Sequence, residues 1–310
     1  MLLVYLIYIY TFEVITFTKN RRFMKFFFTV SYLILFCSSQ LYSQYIMDCN
    51  TIFVCIEKVD YDALFKNSYV KDTLFFCKEN TTKTTTDEYS GKYFMGEFAT
   101  LEFLQPSKNN KFGDHLNDIG IEFKSRKIGV LDSIKDINSK VEIEKVYLES
   151  DAKKHLWYDA LKLKENKTNL EFSILEYSAE ELKMLGFTDD EIKKTMSPTD
   201  FNKIVYGDHK YPRKFKSLKS VWIEVNKDGE NYLKQIAKNF KFKFKRNFVD
   251  CNDFTIYYKL NKNTDHTTIK DIEINLTESL ANKTLPISSN ITLTILDNTA
   301  KFSFKHQENQ

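Results

Sequence analysis

Proline and glycine are scarce in this chain, at 4 and 8 of 310 residues, which excludes collagen-like and low-complexity architectures. Histidine is scarcer than a metal enzyme would suggest. His155, His209, His266 and His306 stand at spacings that suggest no shared ligation, and His115 is alone beside Asp114 in the polar loop NNKFGDH. No CxxC or Cys/His pair has metal-ligand spacing. GxSxG, HExxH, P-loop and dinucleotide fingerprints are all missing. A surplus of charge is missing too. Of 45 bases and 42 acids, four bases and one acid lie in residues 1–44, which leaves 41 of each in the remainder. A neutral body offers no electrostatic case for nucleic acid or for an anionic membrane.

What is present begins with aromatics: 27 Phe and 18 Tyr, residues that favour strands. With 43% hydrophobic residues, the chain is long enough for a substantial core and two domains. The N-terminus has to be set apart first. Met24-Lys25 opens a basic region, FFFTVSYLILF is an apolar run, and small and polar residues surround Ser43-Gln44. That layout predicts a secretory signal peptide, with translation starting at Met24 and export to the periplasm or cell surface. The preceding run LLVYLIYIYTFEVITF carries Glu13 and is short for a span; a membrane anchor there is the alternative. Beyond the leader, Cys49, Cys55, Cys77 and Cys251 read as core thiols. Cys49 and Cys55 sit on one predicted strand, about 20 Å apart at strand rise, too far to pair with each other.

Hydrophobic patterning then gives an ordered series. CNTIFVCIE reads as a strand and DYDALFKNS as a helix capped by Asp60. TLFFCKENT, SGKYFMG and ATLEFL follow as strands. The order repeats with the strand DIGIEFKS, the helix KIGVLDSIKDI, and the strands KVEIEKVYLE, HLWYDALKLK and LEFSILEYS. Two βαβββ units in succession form an internal repeat, with Glu102 and Glu176 in the last strand of each. Capping boxes at Ser178…Glu181 and Thr188…Glu191 and a start at Ser197-Pro198 predict connecting helices. KSVWIEV, the amphipathic helix NYLKQIAKNF, FKFKFKR, DFTIYYKL and TIKDIEINL suggest a third such unit. NITLTIL and AKFSF are expected to close the chain as a hairpin around Asp297-Asn298. FKFKFKR, with Phe240, Phe242 and Phe244 alternating with lysines, reads as a half-buried strand rather than a nucleic-acid surface.

Paired βαβββ units with Glu-bearing last strands resemble the vicinal-oxygen-chelate, or glyoxalase-like, superfamily, and most closely an uncharacterised glyoxalase-like family of bacterial proteins. The segments that carry the resemblance are CNTIFVCIEKVDYDALFKNSYVKD, YSGKYFMGEFATLEFLQP, GDHLNDIGIEF, FSILEYS and NITLTILDNTAKFSF. It implies an α+β fold of paired βαβββ units with mixed sheets and a third βαβββ-like C-terminal unit. The implied boundaries are 1–44 for the leader, 45–178 for the pair, 179–216 for a helical connector and 217–310 for the C-terminal region. Metal-dependent members place a divalent ion on the first and last strands, at positions that here are Thr51, Glu102, Gly120 and Glu176. Both histidine positions are thus lost, and two carboxylates alone make a weak transition-metal site. No cofactor is expected, a divalent metal on Glu102 and Glu176 being the alternative.

Strand alternation puts Glu102 on the face of Thr100 and Leu104, and Glu176 on that of Ile174 and Ser178. The resemblance implies that both faces line a cup. Glu102, Glu176, Tyr93, Tyr177, Thr51 and His115 are therefore the expected ligand-binding residues. The leading expectation is an exported protein that binds a small polar ligand without a complete metal site. A metal-assisted lyase, isomerase or dioxygenase and a structural or protein-interaction module are the alternatives. No nucleic acid or membrane partner is expected for the mature domain.

Overall fold

Strand alternation in this chain sorts aromatic and aliphatic residues to one face and polar residues to the other, and the architecture follows from that sorting. The computed structural model describes residues 47–85, 87–108, 111–150, 153–206 and 214–305. The leader, its signal-peptide reading and His209 and His306 lie outside the described residues. No helix among the described residues is long and apolar enough to cross a membrane.

The first unit is β1 (Met47–Cys55), α1 (Lys58–Ala63), a π-helical turn (Val70–Leu74), β2 (Phe76–Lys83), β3 (Glu88–Met95) and β4 (Thr100–Leu104). The second is β5 (Ile119–Ser125), α2 (Val130–Ile137), β6 (Val141–Ser150), β7 (Lys153–Leu163) and β8 (Leu170–Tyr177). They join in one eight-stranded sheet of order β2-β3-β4-β1-β5-β8-β7-β6. In each unit the last strand returns parallel to the first, and β1 and β5 pair antiparallel at the centre. The sheet curls until its edges meet: Thr84 bridges Leu148, and the Thr85 N–H donates to Tyr147 O.

Three short helices follow, α3 (Ala179–Met184), α4 (Asp189–Ile192) and α5 (Pro198–Tyr206). Ser178 and Thr188 cap the first two as their sequence signatures predict. The rest is β9 (Phe215–Val225), α6 (Lys227–Phe240), β10 (Lys243–Phe244), β11 (Phe248–Asp250), β12 (Thr255–Leu260), β13 (Thr268–Pro286) and β14 (Ile291–Phe304). The second sheet has the order β10-β11-β12-β9-β13-β14. Because β12 is parallel to β9, β9 to β12 repeat the βαβββ topology a third time. The fold is α+β with two mixed sheets.

One apolar layer joins the outer face of the curled sheet to the second sheet and α6. Phe75, Phe94, Phe103 and Phe302 interlock at centroid distances of 4.7 to 6.0 Å. At the other end, Phe123 and Phe172 pack on Phe242 and Phe240. Such rings carry much of the apolar burial and prefer the offset and edge-on contacts observed here.

Three local expectations are corrected. Asp60 does not cap α1: Glu57 holds the N-cap position, and the Asp60 carboxylate accepts a hydrogen bond from Asn290 at 3.0 Å. FKFKFKR is not one strand. The helix continues to Phe240, Lys241 turns into the left-handed region at φ 60°, and only Lys243 and Phe244 pair as a strand. Phe240 and Phe242 stay buried and the lysines exposed, so the alternation serves a helix end. The chain does not reverse at Asp297-Asn298. β14 runs through them, Asp297 (φ 55°) is absorbed as an irregularity against Leu280, and the turn lies just before Ile291, where Ser288 N–H donates to Ile291 O.

Phe103 is fully buried in the inter-sheet layer. Phe103→Ala should therefore cost about 3–5 kcal/mol of stability, read as a shifted urea midpoint with an unchanged slope.

Candidate functional site

Three tripeptides of one type line the inside of the curled sheet: Leu101-Glu102-Phe103, Ile121-Glu122-Phe123 and Leu170-Glu171-Phe172. In each, the flanking apolar residues are at most 1% exposed in the inter-sheet layer. Alternation then turns the glutamate to the concave face. Glu102 pairs in register with Phe53 and Tyr93, Glu122 with Thr51 and Ser173, and Glu171 with Gly120.

The concave face holds two cavities of about 300 and 310 Å³, and Tyr89, Glu102, Glu122, Tyr158 and Leu175 line both. One cavity is strongly acidic, with seven carboxylates against the single base Lys162. The other carries Lys78, Lys124 and Arg126 and is bordered by Phe201 and Asn202 of α5. Tyr177 stacks on Phe201 at 5.7 Å, and the Lys124 ammonium lies 3.7 Å from the centre of the Tyr177 ring, within cation–π range. Arg126 is already committed to a bidentate ion pair with Asp48.

The central carboxyls lack such partners. Glu102 Oε1 is closed to solvent and accepts no hydrogen bond. Burial, with the Glu122 carboxyl nearby, pushes Glu102 up to about 8 against the pull of a Tyr93 hydrogen bond. Burial pushes Glu122 up to about 7, with Lys124 and Lys162 opposing and Glu171 adding to the rise. Glu171 is held by Lys162 at 3.0 Å, and the same lysine reaches Glu144 at 3.3 Å. Glycine provides the room: a Cβ on Gly91 would stand 3.0 Å from both Glu102 Oε1 and the Tyr93 hydroxyl.

The model of the family of unknown function DUF5829 matches residues 49–304. The chain belongs to that family. No curated protein matches it. Among solved structures, it is similar to a hypothetical protein from Staphylococcus aureus at 11% identity and a TM-score of 0.49, covering 78% of this chain and 96% of the other. It is also similar to a mutant of 4-hydroxymandelate synthase from Streptomyces coelicolor at 10% identity and a TM-score of 0.42, covering 73% and 69%.

In this DUF5829 member, Glu102, Tyr93, Tyr177 and Thr51 meet around the second cavity. Glu176 does not join them. Its carboxylate lies on the opposite side of β8 and accepts the backbone N–H groups of Gly129, Val130 and Leu131 at the start of α2, at 2.7 to 3.3 Å. Burial raises its pKa and those three donors oppose the rise, a helix-start arrangement that favours an anion. The expectation that Glu102 and Glu176 share the cup is corrected here. SILEYS looks like ATLEFL, but Leu175 and Tyr177 face the cup where Leu101 and Phe103 face the core. With Thr51 matched to Gly120, register makes Ser173 the counterpart of Glu102 and Glu122 that of Phe53. His115 lines neither cavity; it lies in the loop, with Nδ1 3.3 Å from Asp118. Glu122, Glu171, Lys124 and Tyr158 went unnoticed in the sequence, although the thrice-used pattern of apolar residue, Glu and Phe was there to be read.

The residues do not fit the metal that the superfamily resemblance implies. Thr51 Oγ1 hydrogen-bonds Asn50, and Glu176 points elsewhere. A Cβ on Gly120 would fall 1.8 Å from the Phe53 ring, which fills the space of the missing side chain. No group of three His, Cys, Asp or Glu able to hold a metal occurs among the described residues.

Two expectations follow. Gly120→Ala should push Phe53 out of its place, costing about 1–3 kcal/mol as overpacked sites do, and shrink the acidic cavity; thermal melting and a crystal structure check both. Glu102 and Glu122 bind protons more tightly folded than unfolded, from 4.5 up to about 8 and about 7. Their contribution to stability is therefore retained below pH ~4.5 and lost as pH rises toward ~8. Melting temperatures of wild type and Glu102→Gln should diverge across that window, with the variant less sensitive to pH.

Proposed function

We propose that this protein binds a small polar ligand in the concave face of its first sheet, without a complete metal site of the superfamily type. The observation that carries the reading is the buried, unpartnered carboxyl oxygen of Glu102 where the two cavities meet. A buried acceptor left open costs stability, and a ligand donor placed there would remove that cost. Tyr89 and Tyr158 supply apolar contact, and Glu102 and Glu122 converge beside them on the lining of both cavities, a concave arrangement suited to a small ligand. The leader-like N-terminus supports placing this binding activity in an exported protein.

The protein-interaction reading has one observation in its favour. Trp222 and Tyr257 stack at 5.8 Å on the second sheet and remain 42% and 36% exposed. Exposed aromatics of that kind are typical of contact surfaces.

The chain has two tryptophans, and Trp157 borders the second cavity. In a Trp222→Phe background, Trp157 alone reports on the cup. Screening small polar compounds of each charge type should yield ligands that change its emission, and Ser173→Phe, which places a ring in the cup, should abolish their binding to a protein that still melts cooperatively. Unaltered binding in a folded Ser173→Phe protein would remove the cup as the site.

A further inference from the structure

The acids of the cup are not equivalent. Glu144 and Glu171 are neutralised by Lys162, and Asp114 accepts from Ser107 Oγ and the Lys111 N–H. Asp87 accepts the Glu88 N–H, and Glu88 is exposed at the start of β3. Glu102 and Glu122 are the two acids that line both cavities. Neither makes an ion pair among the described residues, and although Tyr93 hydrogen-bonds the Glu102 carboxyl, Oε1 of that carboxyl accepts no hydrogen bond. They stand together at the junction of the cavities with two aromatic rings, Tyr89 and Tyr158.

We propose that the ligand of this cup is a small organic cation, whose charged nitrogen lies between the Glu102 and Glu122 carboxyls and whose body packs against Tyr89 and Tyr158. This rests on the small-ligand reading and narrows it to a chemical class. Two carboxyls that make no direct ion pair among the described residues match a positive charge, although Lys124 and Lys162 lie near enough to act on Glu122, and aromatic faces attract ammonium groups through the ring quadrupole. A bare divalent ion is a poorer occupant. Calcium takes six to eight oxygens and magnesium an octahedron, whereas the site offers no three-acid cluster and about 300 Å³ of space.

Binding is linked to protons. The titratable and charged groups that line the two cavities with the pair include Lys78 from β2, Asp87 before β3, Glu88, Tyr89 and Tyr93 from β3, Asp114 from the loop after β4, Lys124 from β5 and Arg126 after it, Glu144 from β6, Tyr158 and Lys162 from β7, and Glu171 and Tyr177 from β8. Tyr89, Tyr93 and Tyr158 are pushed up by burial and stay neutral. Burial also pushes up both carboxyls, with Glu122 adding to the rise at Glu102 and Glu171 to that at Glu122, so the two acids hold protons near neutrality. A cation that enters displaces them, and affinity rises with pH until both carboxyls are ionised.

Calorimetric titration of the purified chain tests this with benzyltrimethylammonium, whose charge is the same at every pH, beside benzyl alcohol and benzoate. The cation should bind about tenfold or more tightly at about pH 8.5 than at about pH 6, with a buffer-dependent heat that reports proton release. Glu102→Gln/Glu122→Gln should remove the pH dependence and weaken binding by about tenfold or more. Tyr158→Leu should weaken it with the pH dependence intact, and serves if the double variant does not fold. A pH-independent affinity, or a cation bound no better than benzyl alcohol, overturns the proposal, as does competition by calcium or magnesium chloride at stoichiometric levels. If benzyl alcohol or benzoate shifts Trp157 emission and the cation does not, the cation is rejected and the small-ligand reading stands. If none of the three binds and the Trp157 screen finds no ligand, both fail.

Discussion

The aromatic layer between the two sheets is the constraint on which the rest depends. Phe94, Phe103, Phe123 and Phe172 must face Phe302, Phe240 and Phe242 for either sheet to bury its apolar side. A strand has only two faces, so fixing those phenylalanines decides where every neighbour points. Glu102, Glu122 and Glu171 lie inside the curled sheet because each stands beside a phenylalanine that cannot leave the layer. A slip of one residue would put charges into the layer and rings into the cup. The cost of burying an unpaired charge rules that out.

Curvature then turns a polar face into a pocket. The parallel return of β4 onto β1 and of β8 onto β5, with β1 antiparallel to β5, places two half-sheets around a pseudo-twofold line. Meeting of the edges at Thr84 and Leu148 encloses the space. Lys162 pairs two of the enclosed acids, Glu144 and Glu171, while Glu102 and Glu122 make no ion pair among the described residues. Imbalance of this kind, held in a rigid sheet, is a recurrent mark of a binding site. In the third βαβββ unit the same register positions carry Trp222 and Tyr257, so duplication has kept the framework and changed the chemistry on its face.

Much of the fold was legible in the sequence because it rests on local rules. The order of strands and helices, the caps at Ser178 and Thr188, and the alternation within ATLEFL follow from period-two and period-3.6 patterning and from side-chain capping chemistry. Legibility failed where two local rules compete. Lys241 ends a helix inside a perfect strand pattern, and Asp297-Asn298, a strong turn signal, is overruled by the long ladder between β13 and β14. Of the residues named from the sequence, Glu102, Tyr93, Tyr177 and Thr51 line the second cavity. Glu122 and Glu171 were missed because LEY in SILEYS copies LEF in ATLEFL while facing the other way.

The sequence by itself determined the repeated βαβββ order and, through the phenylalanines, the face on which each acid of the apolar–Glu–Phe pattern must lie. Composition also determined that residues 45–310 carry acids and bases in equal number. Tertiary structure alone decided which of those acids are paired with a lysine and which are not. Glu176 could become a helix cap only once α2 was laid across β8, and Glu171 could be neutralised only once β7 brought Lys162 beside it. Pairing of charges depends on distances between strands far apart in the chain, and alternation along one strand carries no information about them.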